Sequence, residues 1–97
     1  MINLTFALRE GLHFYIVGIG GSGMSAIARL LLGRAFVMSG SDRAVTALTA
    51  VLQSEGATVH EGHDADNIAG ADALVISSAI PADNAEVVAA RAAGIPI

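Results

Sequence analysis

The sequence predicts an α/β fold in which a doubly wound parallel sheet lies between two layers of helices. Short apolar runs alternate with helix-periodic segments along most of the chain, and this alternation is typical of a parallel sheet covered on both faces. The connections are short, so right-handed crossovers lead to the strand order 3-2-1-4 of a Rossmann-like, three-layer α/β/α domain.

Four segments have the length and composition of buried strands. The first, 12–18 (LHFYIVG), is a continuous apolar run that ends in glycine, as expected for a strand with both faces covered. The others are predicted at 36–41, 57–60 and 73–77. The chain stops at GIPI, where a fifth strand should begin, so any fifth strand is expected to be short, at 96–97. We therefore expect residues 1–97 to be a single domain of a longer protein.

Apolar residues at helical spacing predict two helices between the strands, at Met24, Ile27, Ala28 and Leu31 and at Val45, Leu48 and Leu52. Gly33 and Gly56 are placed to end these helices. A third helix is expected to begin near Asp83-x-x-Glu86, which resembles a capping box, and to end at Gly94. The polar segment 62–72 is predicted to be turn, with one helical turn at most.

The composition excludes several classes of protein. Hydrophobic residues make up 54% of the chain, which excludes a disordered protein, yet no apolar run reaches the roughly 20 residues that cross a bilayer. The first ten residues, MINLTFALRE, lack the basic and small-residue features of a signal peptide. The absence of cysteine excludes disulfides and thiolate zinc sites and fits a cytoplasmic location without a membrane partner.

The charge distribution argues against a nucleic-acid partner. The net charge is −4, and the 5 basic residues are all arginine, spread along the chain without forming a patch. Non-specific nucleic-acid binding needs such a patch. If the domain binds an anion, backbone N–H groups are expected to be the main donors.

The glycine-rich segment VGIGGSGMS fits two phosphate-binding patterns, and the first is the P-loop. Gly18-x4-Gly23-Met24-Ser25 has the spacing of a P-loop, but methionine stands where the lysine that binds the β- and γ-phosphates belongs. The chain contains no lysine at all. ATP hydrolysis at this turn is therefore not expected.

The second pattern is the dinucleotide-type turn, Gly18-x-Gly20-x-x-Gly23. In that pattern Gly18 allows the tight turn, Gly20 the approach of the backbone to a pyrophosphate, and Gly23 the packing of helix on strand. The helix that starts near Ser22 would aim free N–H groups at the phosphates. A plain strand-to-helix connection is the alternative, but a strand before the turn and a helix after it favour phosphate binding.

Asp42 follows the second strand, about 20 residues beyond the turn, where a carboxylate accepts hydrogen bonds from ribose hydroxyls in this fold. The alternative is a cap for the second helix. Both roles are possible if Ser41 caps the helix while Asp42 faces the ligand.

Three further features allow both a structural and a functional interpretation. His63 and Asp64 follow the third strand, and we interpret them as part of a turn rather than as metal ligands, so no metal site is predicted. His13 is interpreted as a hydrogen-bonded core histidine. Segment 77–81 (SSAIP) either lines a ligand crevice at the carboxyl end of the fourth strand or only leads into the next helix. No Ser-His-Asp arrangement or carboxylate pair predicts a catalytic site.

Taken in order, the segments GIGGSGMS, SGSD, GH and SSAIP-x-x-N-x-E resemble the N-terminal domain of the Mur ligase family, over residues 12–97. The resemblance implies a three-domain enzyme whose first domain binds the UDP part of UDP-N-acetylmuramate. It fits the branch that adds L-alanine in peptidoglycan synthesis better than the branch that recycles murein tripeptide. ATP and Mg²⁺ would bind to the later domains, so no catalytic residue is expected in this chain.

The resemblance and the turn together imply three groups of UDP-binding residues: Gly18, Gly20, Gly21, Ser22, Gly23, Met24 and Ser25 for the diphosphate; Ser41, Asp42 and His63 for the uridine; and Ser77, Ser78, Ala79 and Ile80 completing the uridine side. Segment 34–38 (RAFVM) lacks the glycine that the family has before the second strand, which leaves the end of the first helix open. The alternative functions are an NAD(P)-binding half-domain of an oxidoreductase and a non-catalytic nucleotide-sensing domain.

Overall fold

The computed structural model describes residues 11–97, and four parallel strands in it form one sheet. The strands are β1 (His13–Val17), β2 (Val37–Asp42), β3 (Thr58–Glu61) and β4 (Ala73–Val75). Their order is β3-β2-β1-β4, which confirms the predicted topology and places the first strand between β2 and β4. The prediction that the N-terminus is not a signal peptide concerns residues 1–10, outside the described residues.

Three α-helices and one short 3₁₀ helix accompany the strands in the described residues. They are α1 (Ser22–Leu32), α2 (Ala47–Ser54) and α3 (Ala85–Ala93), with the 3₁₀ helix at Ala65–Ile68. Helices α1 and α2 and the 3₁₀ helix each connect two strands, and α3 follows β4. Each α-helix lies in the segment where the sequence pattern predicts it, except that Val45, predicted to be part of the second helix, precedes the start of α2. The 3₁₀ helix supplies the single turn expected within 62–72. No helix within residues 11–97 has both the length and the apolar content that a membrane span requires.

Successive side chains of β1 point to opposite faces of the sheet and enter two separate cores. Phe14 and Ile16 belong to the core beneath α1 and α2. Tyr15 and Val17 belong to the second core, beneath α3 and the 3₁₀ helix. Burial on both faces explains why the sequence is apolar without alternation at this strand, and it confirms the three-layer α/β/α architecture.

The end of β1 and the turn that follows it press closely against β2. The N–H groups of Gly18 and Ile19 both donate to the carbonyl oxygen of Ser41, at 2.8 and 3.0 Å. Within β2, Gly40 is paired in register with Ile16. A Cβ at Gly40 would lie 2.4 Å from the Ile16 carbonyl oxygen and 2.8 Å from Cβ of Ile19, so glycine alone leaves room for this approach.

The N-terminus of α2 corrects one expectation. Its N-cap is Thr46, whose side chain accepts a hydrogen bond from the Thr49 N–H, while the Thr49 hydroxyl accepts one from the Thr46 N–H. The hypothesis that Ser41 or Asp42 caps this helix is therefore wrong, because the chain runs on for several residues beyond β2 before the helix begins.

The ends of α3 give one correction and one confirmation. Its N-cap is Asn84, whose Oδ1 accepts from the Glu86 N–H at 2.9 Å. The predicted capping box from Asp83 to Glu86 is wrong, because the helix begins one residue later than that pattern requires. Gly94 ends the helix with a left-handed φ of 72°, as predicted.

After α3 the chain returns to the free edge of β4. The Leu74 N–H donates to the carbonyl oxygen of Pro96 at 2.8 Å. No strand is formed at 96–97 in the part of the chain that the structure describes, although this one hydrogen bond lies where the fifth strand was expected.

The turn after α1 contains Ala35 at a φ of 65°, whereas Gly33, predicted to end the helix, is its C-cap residue and has a φ of −67°. We expect Ala35→Gly to raise the free energy of unfolding by about 0.5–1 kcal/mol. A left-handed L-residue costs about 1–2 kcal/mol, and the greater unfolded-state entropy of glycine offsets part of the gain. Denaturant unfolding measures the change.

The matched control for Ala35→Gly is Ala50→Gly, at an exposed position of α2. A glycine in a helix interior is expected to cost about 1 kcal/mol. If glycine lowered the free energy of unfolding by a similar amount at both positions, Ala35 would carry no backbone strain.

Candidate functional site

A pocket with a volume of about 610 Å³ opens at the carboxyl end of the sheet. In doubly wound sheets the ligand crevice lies at this end, where the strand order reverses, here between β1 and β4. The pocket is lined by Gly18, Gly21, Gly23, Met24, Asp42, Arg43, His63, Ser77, Ala79, Ile80, Pro81 and Asn84. The turns after β1 and β4 lie close together, since a Cβ at Gly18 would be 3.3 Å from Cδ1 of Ile80.

The turn after β1 leaves the N-terminus of α1 without a cap. Gly18 has a φ of 79° and accepts a hydrogen bond from the Gly21 N–H at 3.0 Å, which confirms the tight turn. Gly21 is the N-cap and has no side chain to offer, and the first turn of the helix contains no acidic residue. The N–H groups of Ser22, Gly23 and Met24 therefore have no partner within the helix, and they favour an anion.

The second glycine of the pattern has a structural reason to be glycine that was not predicted, and the third has no close neighbour that requires glycine. The Gly20 N–H donates to Asp42 Oδ2 at 2.8 Å, and a Cβ at Gly20 would lie 2.7 Å from that oxygen and 3.1 Å from Cγ2 of Thr49. Gly20 is thus required by the approach of the protein's own Asp42. A Cβ at Gly23 would meet nothing within 4 Å, so the prediction that Gly23 permits close packing of helix on strand is wrong.

Asp42 joins the end of β2 to the glycine turn. Its Oδ2 accepts from Gly20, and its Oδ1 accepts from the Arg43 N–H at 2.7 Å. A carboxylate oxygen has two lone pairs, so each oxygen has one left for a ligand. Contact with a ribose remains a prediction, now with a defined geometric basis.

Two serines of the predicted set lie behind the pocket wall. Ser41 is fully buried and its Oγ donates to Glu86 Oε1 at 2.5 Å. Ser25 is buried as well, and its Oγ donates to the carbonyl oxygen of Ser22 at 3.0 Å. Neither hydroxyl faces the pocket, so the expected direct contact of Ser41 with a uridine has no support in this geometry.

The predicted residues therefore divide into those that line the pocket and those that do not. Lining it are Gly18, Gly21, Gly23, Met24, Asp42, His63, Ser77, Ala79 and Ile80; absent from the lining are Gly20, Ser22, Ser25, Ser41 and Ser78. Pro81, in the segment 77–81 considered as crevice lining, also lines the pocket, whereas sequence reasoning missed the contributions of Arg43, directly after SGSD, and of Asn84, within SSAIP-x-x-N-x-E. Arg43 adds a positively charged residue to the lining of the pocket.

Behind the pocket, hydrogen bonds from three parts of the fold converge on the fully buried carboxylate of Glu86. Tyr15 donates its hydroxyl to Oε2, and Asn67 Nδ2 reaches the same oxygen at 3.0 Å. His63 Nδ1 lies 3.2 Å from Oε1, the oxygen that Ser41 also contacts. One pattern in the sequence could have indicated this burial, because Glu86 precedes Ala90 by one helical turn and so lies on the buried face of α3.

The hydrogen bonds decide the charge of this group. Burial alone would raise the pKa of the Glu86 carboxyl, but the hydrogen bonds from Ser41, Tyr15, Asn67 and His63 outweigh burial and hold its pKa below the ordinary value. Burial, together with the hydrogen bond to Glu86, raises the pKa of Tyr15. At neutral pH Glu86 is therefore ionised and Tyr15 is a neutral donor.

The other histidine of interest, His13, has both ring nitrogens engaged. Nδ1 lies 3.0 Å from the Gly70 carbonyl oxygen and Nε2 lies 2.5 Å from Ser39 Oγ. This confirms its interpretation as a hydrogen-bonded structural residue. Within the described residues, no three His, Asp or Glu side chains are grouped in a way that could hold a metal ion.

The family to which the chain belongs follows from comparison with known proteins. The family model described as "Mur ligase family, catalytic domain" matches residues 13–97. The match spans nearly all of the described residues, so this chain belongs to the Mur ligase family, as its motifs indicate. Membership in a ligase family argues against the alternative of an NAD(P)-binding half-domain.

Within that family the chain is similar to UDP-N-acetylmuramate–L-alanine ligases. It is 54% identical over 86 residues to the enzyme of that name from Roseiflexus sp. strain RS-1, a match that covers 89% of this chain and 18% of the relative. The chain thus spans about a fifth of the length of the curated relatives it matches.

Solved structures show the same likeness. UDP-N-acetylmuramate–alanine ligase MurC from Thermotoga maritima superimposes with a TM-score of 0.85 and 36% identity, over 89% of this chain and 20% of the other. The UDP-N-acetylmuramate:L-alanyl-γ-D-glutamyl-meso-diaminopimelate ligase from Neisseria meningitides gives a TM-score of 0.81 and 30% identity, over 89% and 28%. The α/β sheet is therefore that of the MurC N-terminal domain.

Proposed function

We propose that this chain binds the UDP part of UDP-N-acetylmuramate in the pocket at the carboxyl end of the sheet. The observation that carries the proposal is the uncapped N-terminus of α1, whose first three N–H groups lie at or beside the pocket wall. A diphosphate matches such donors in charge and hydrogen bonding. Asp42 on the adjoining strand supplies acceptors for a ribose, and the relatives are named for a substrate that contains both groups.

The two sides of the pocket divide the ligand between them. The diphosphate lies against Gly21, Gly23 and Met24, with Arg43 also in the lining. The uridine lies between His63 and the turn after β4, which contributes the hydroxyl of Ser77 and the apolar side chains of Ala79 and Ile80 to the lining. This division leaves the muramic acid to extend out of the pocket, toward the parts of a longer protein where the reaction would occur.

We further propose that the longer protein joins L-alanine to UDP-N-acetylmuramate, as the names of its relatives indicate, and that it does so in the cytoplasm. Residues 11–97 do not fit the ATP and Mg²⁺ that this reaction needs, because Met24 stands in place of the P-loop lysine and no carboxylate group is placed to hold a metal ion. ATP and Mg²⁺ would therefore bind to other domains. This chain holds the substrate in position and supplies no catalytic residue.

Replacing Ser22 tests the diphosphate site. Ser22 is the first residue of α1, and Gly21 before it has the extended φ and ψ (−64°, 147°) that a following proline requires. Ser22→Pro should therefore keep the helix, remove one N–H donor and lower the affinity for UDP about ten-fold, since a hydrogen bond to a charged group contributes about 1.5 kcal/mol or more. Isothermal calorimetry with UDP measures the effect.

Ser22→Ala is the matched control for this test, because it keeps the N–H and removes only the exposed hydroxyl. It should change the affinity less than two-fold, within about 0.5 kcal/mol. Equal UDP affinity in the proline and alanine variants would contradict the placement of the diphosphate at this helix.

A further inference from the structure

We propose that Glu86 is a positioning residue that fixes the tautomer of His63, so that a neutral His63 presents a bare Nε2 to the nucleoside of the ligand. Glu86 is fully buried and does not line the pocket, whereas His63 does. The ligand in this inference rests on the proposed function. The tautomer itself follows from the hydrogen bonds within the protein.

The hydroxyl proton of Ser41 is the starting point. Ser41 Oγ lies 2.5 Å from Glu86 Oε1 and 2.8 Å from His63 Nδ1, and it has one proton to donate. The shorter contact is to an ionised carboxylate, which accepts hydrogen bonds and cannot donate one. The Ser41 proton is therefore given to Glu86.

His63 Nδ1 then faces two oxygen atoms that can only accept from it. These are the lone pairs of Ser41 Oγ at 2.8 Å and Glu86 Oε1 at 3.2 Å. A bare Nδ1 would place lone pair against lone pair, so Nδ1 must carry the proton in both the neutral and the charged ring. In the neutral ring, Nε2 is consequently the bare nitrogen.

The bare Nε2 determines which part of a ligand can lie against His63. Nε2 is on the side of the ring away from this network, and it makes no hydrogen bond to another described residue. A bare nitrogen accepts a hydrogen bond from a hydroxyl or an imide N–H and repels phosphate oxygens. Of the parts of UDP, the ribose and the uracil carry such donors and the diphosphate does not.

Nitrogen NMR of the histidine rings tests the tautomer directly. Long-range ¹H–¹⁵N spectra of the 97-residue chain at about pH 8, where an ordinary histidine is neutral, should show His63 with a protonated Nδ1 and a bare Nε2. His13 is an internal standard, because its Nδ1 faces the Gly70 carbonyl oxygen and must also be protonated. A protonated Nε2 on His63 would overturn the proposal.

Variants test the part played by Glu86. Glu86→Gln places an amide NH₂ where several donors already point, so His63 should shift to a mixture of tautomers while His13 is unchanged. If Glu86→Gln does not fold, Ser41→Ala removes the 2.8 Å contact to His63 and the hydrogen bond to Glu86 but leaves Glu86 Oε1 3.2 Å from His63 Nδ1, and it should shift His63 in the same direction by a smaller amount. An unchanged His63 spectrum in a folded Glu86→Gln protein would overturn the proposal.

A double-mutant cycle with UDP separates positioning from a merely structural effect. Glu86→Gln and His63→Phe should each weaken UDP binding about ten-fold. The double variant should be no weaker than His63→Phe alone, to within about two-fold, because Glu86 acts through His63. An additive loss of about a hundred-fold would show that Glu86 supports the pocket independently of His63 and would overturn the proposal.

Failure of the proposed function would be seen separately. If the unmodified chain did not bind UDP, the UDP site would be wrong, while the His63 spectrum would still decide whether Glu86 fixes the tautomer. A bare Nε2 on His63 in the unmodified chain, lost in Glu86→Gln, supports that assignment whatever the ligand is.

Discussion

Gly40→Ala is expected to lower the free energy of unfolding by about 3 kcal/mol or more, the largest stability effect that the fold predicts for a single methyl group. The added Cβ would lie 2.4 Å from the Ile16 carbonyl oxygen and 2.8 Å from Ile19 Cβ. The first of these atoms is backbone of the neighbouring strand, so the clash cannot be relieved by a side-chain rotation. The two strands must move apart, which breaks packing in the sheet beneath α1.

Thermal unfolding measures the effect of Gly40→Ala, with an expected fall in Tm of roughly 12–24 °C for a domain of this size. Gly33→Ala is the control, because its Cβ would meet its nearest neighbour, the Leu30 carbonyl oxygen, at an ordinary 3.5 Å. A change in Tm as small as that of the control would mean that β2 does not approach β1 as closely as described.

Gly20→Val is expected to abolish UDP binding, with a loss of affinity of more than about a hundred-fold. The branched side chain would occupy the space of Asp42 Oδ2, 2.7 Å from its Cβ, and would press on Thr49 as well. Asp42 would have to turn away, so the hydrogen bond from the Gly20 N–H to its carboxylate would break. The ribose acceptor and the shape of the diphosphate turn would be lost together.

Calorimetric titration with UDP measures the loss in Gly20→Val, and circular dichroism shows whether the variant remains folded. The control is Gly33→Ala, outside the pocket lining, whose Cβ would meet its nearest neighbour at an ordinary 3.5 Å; its affinity is expected to stay within about three-fold, or 0.7 kcal/mol. A folded Gly20→Val protein with the affinity of the unmodified chain would refute the proposed site.

Local sequence patterns were sufficient to predict the fold. Three local patterns predict its elements: the apolar run at β1, the glycine turn, and the spacing of Val45, Leu48 and Leu52. The right-handedness of the crossover connections then predicts the order of the strands. Helix starts were less well predicted, because Asp83 and Asn84 are adjacent residues that both cap well. Only the packed structure decides between them.

The site was predicted in outline, and the errors have physical causes. Ser41 and Asp42 are neighbours on a strand, so their side chains leave opposite faces of the sheet, and only Asp42 reaches the pocket. That rule was available from the sequence and would have separated them. The contact of Tyr15 with Glu86 joins residues 71 positions apart, and no local pattern carries information on such a pairing.

The uncapped end of α1 also has an evolutionary consequence. The groups that it offers to an anion belong to the main chain, and every amino acid except proline supplies the same N–H. Drift in the side chains of Ser22 and Met24, which are exposed and half-buried, would leave these donors in place. The donors of the proposed diphosphate site are thus independent of which side chains these two positions carry.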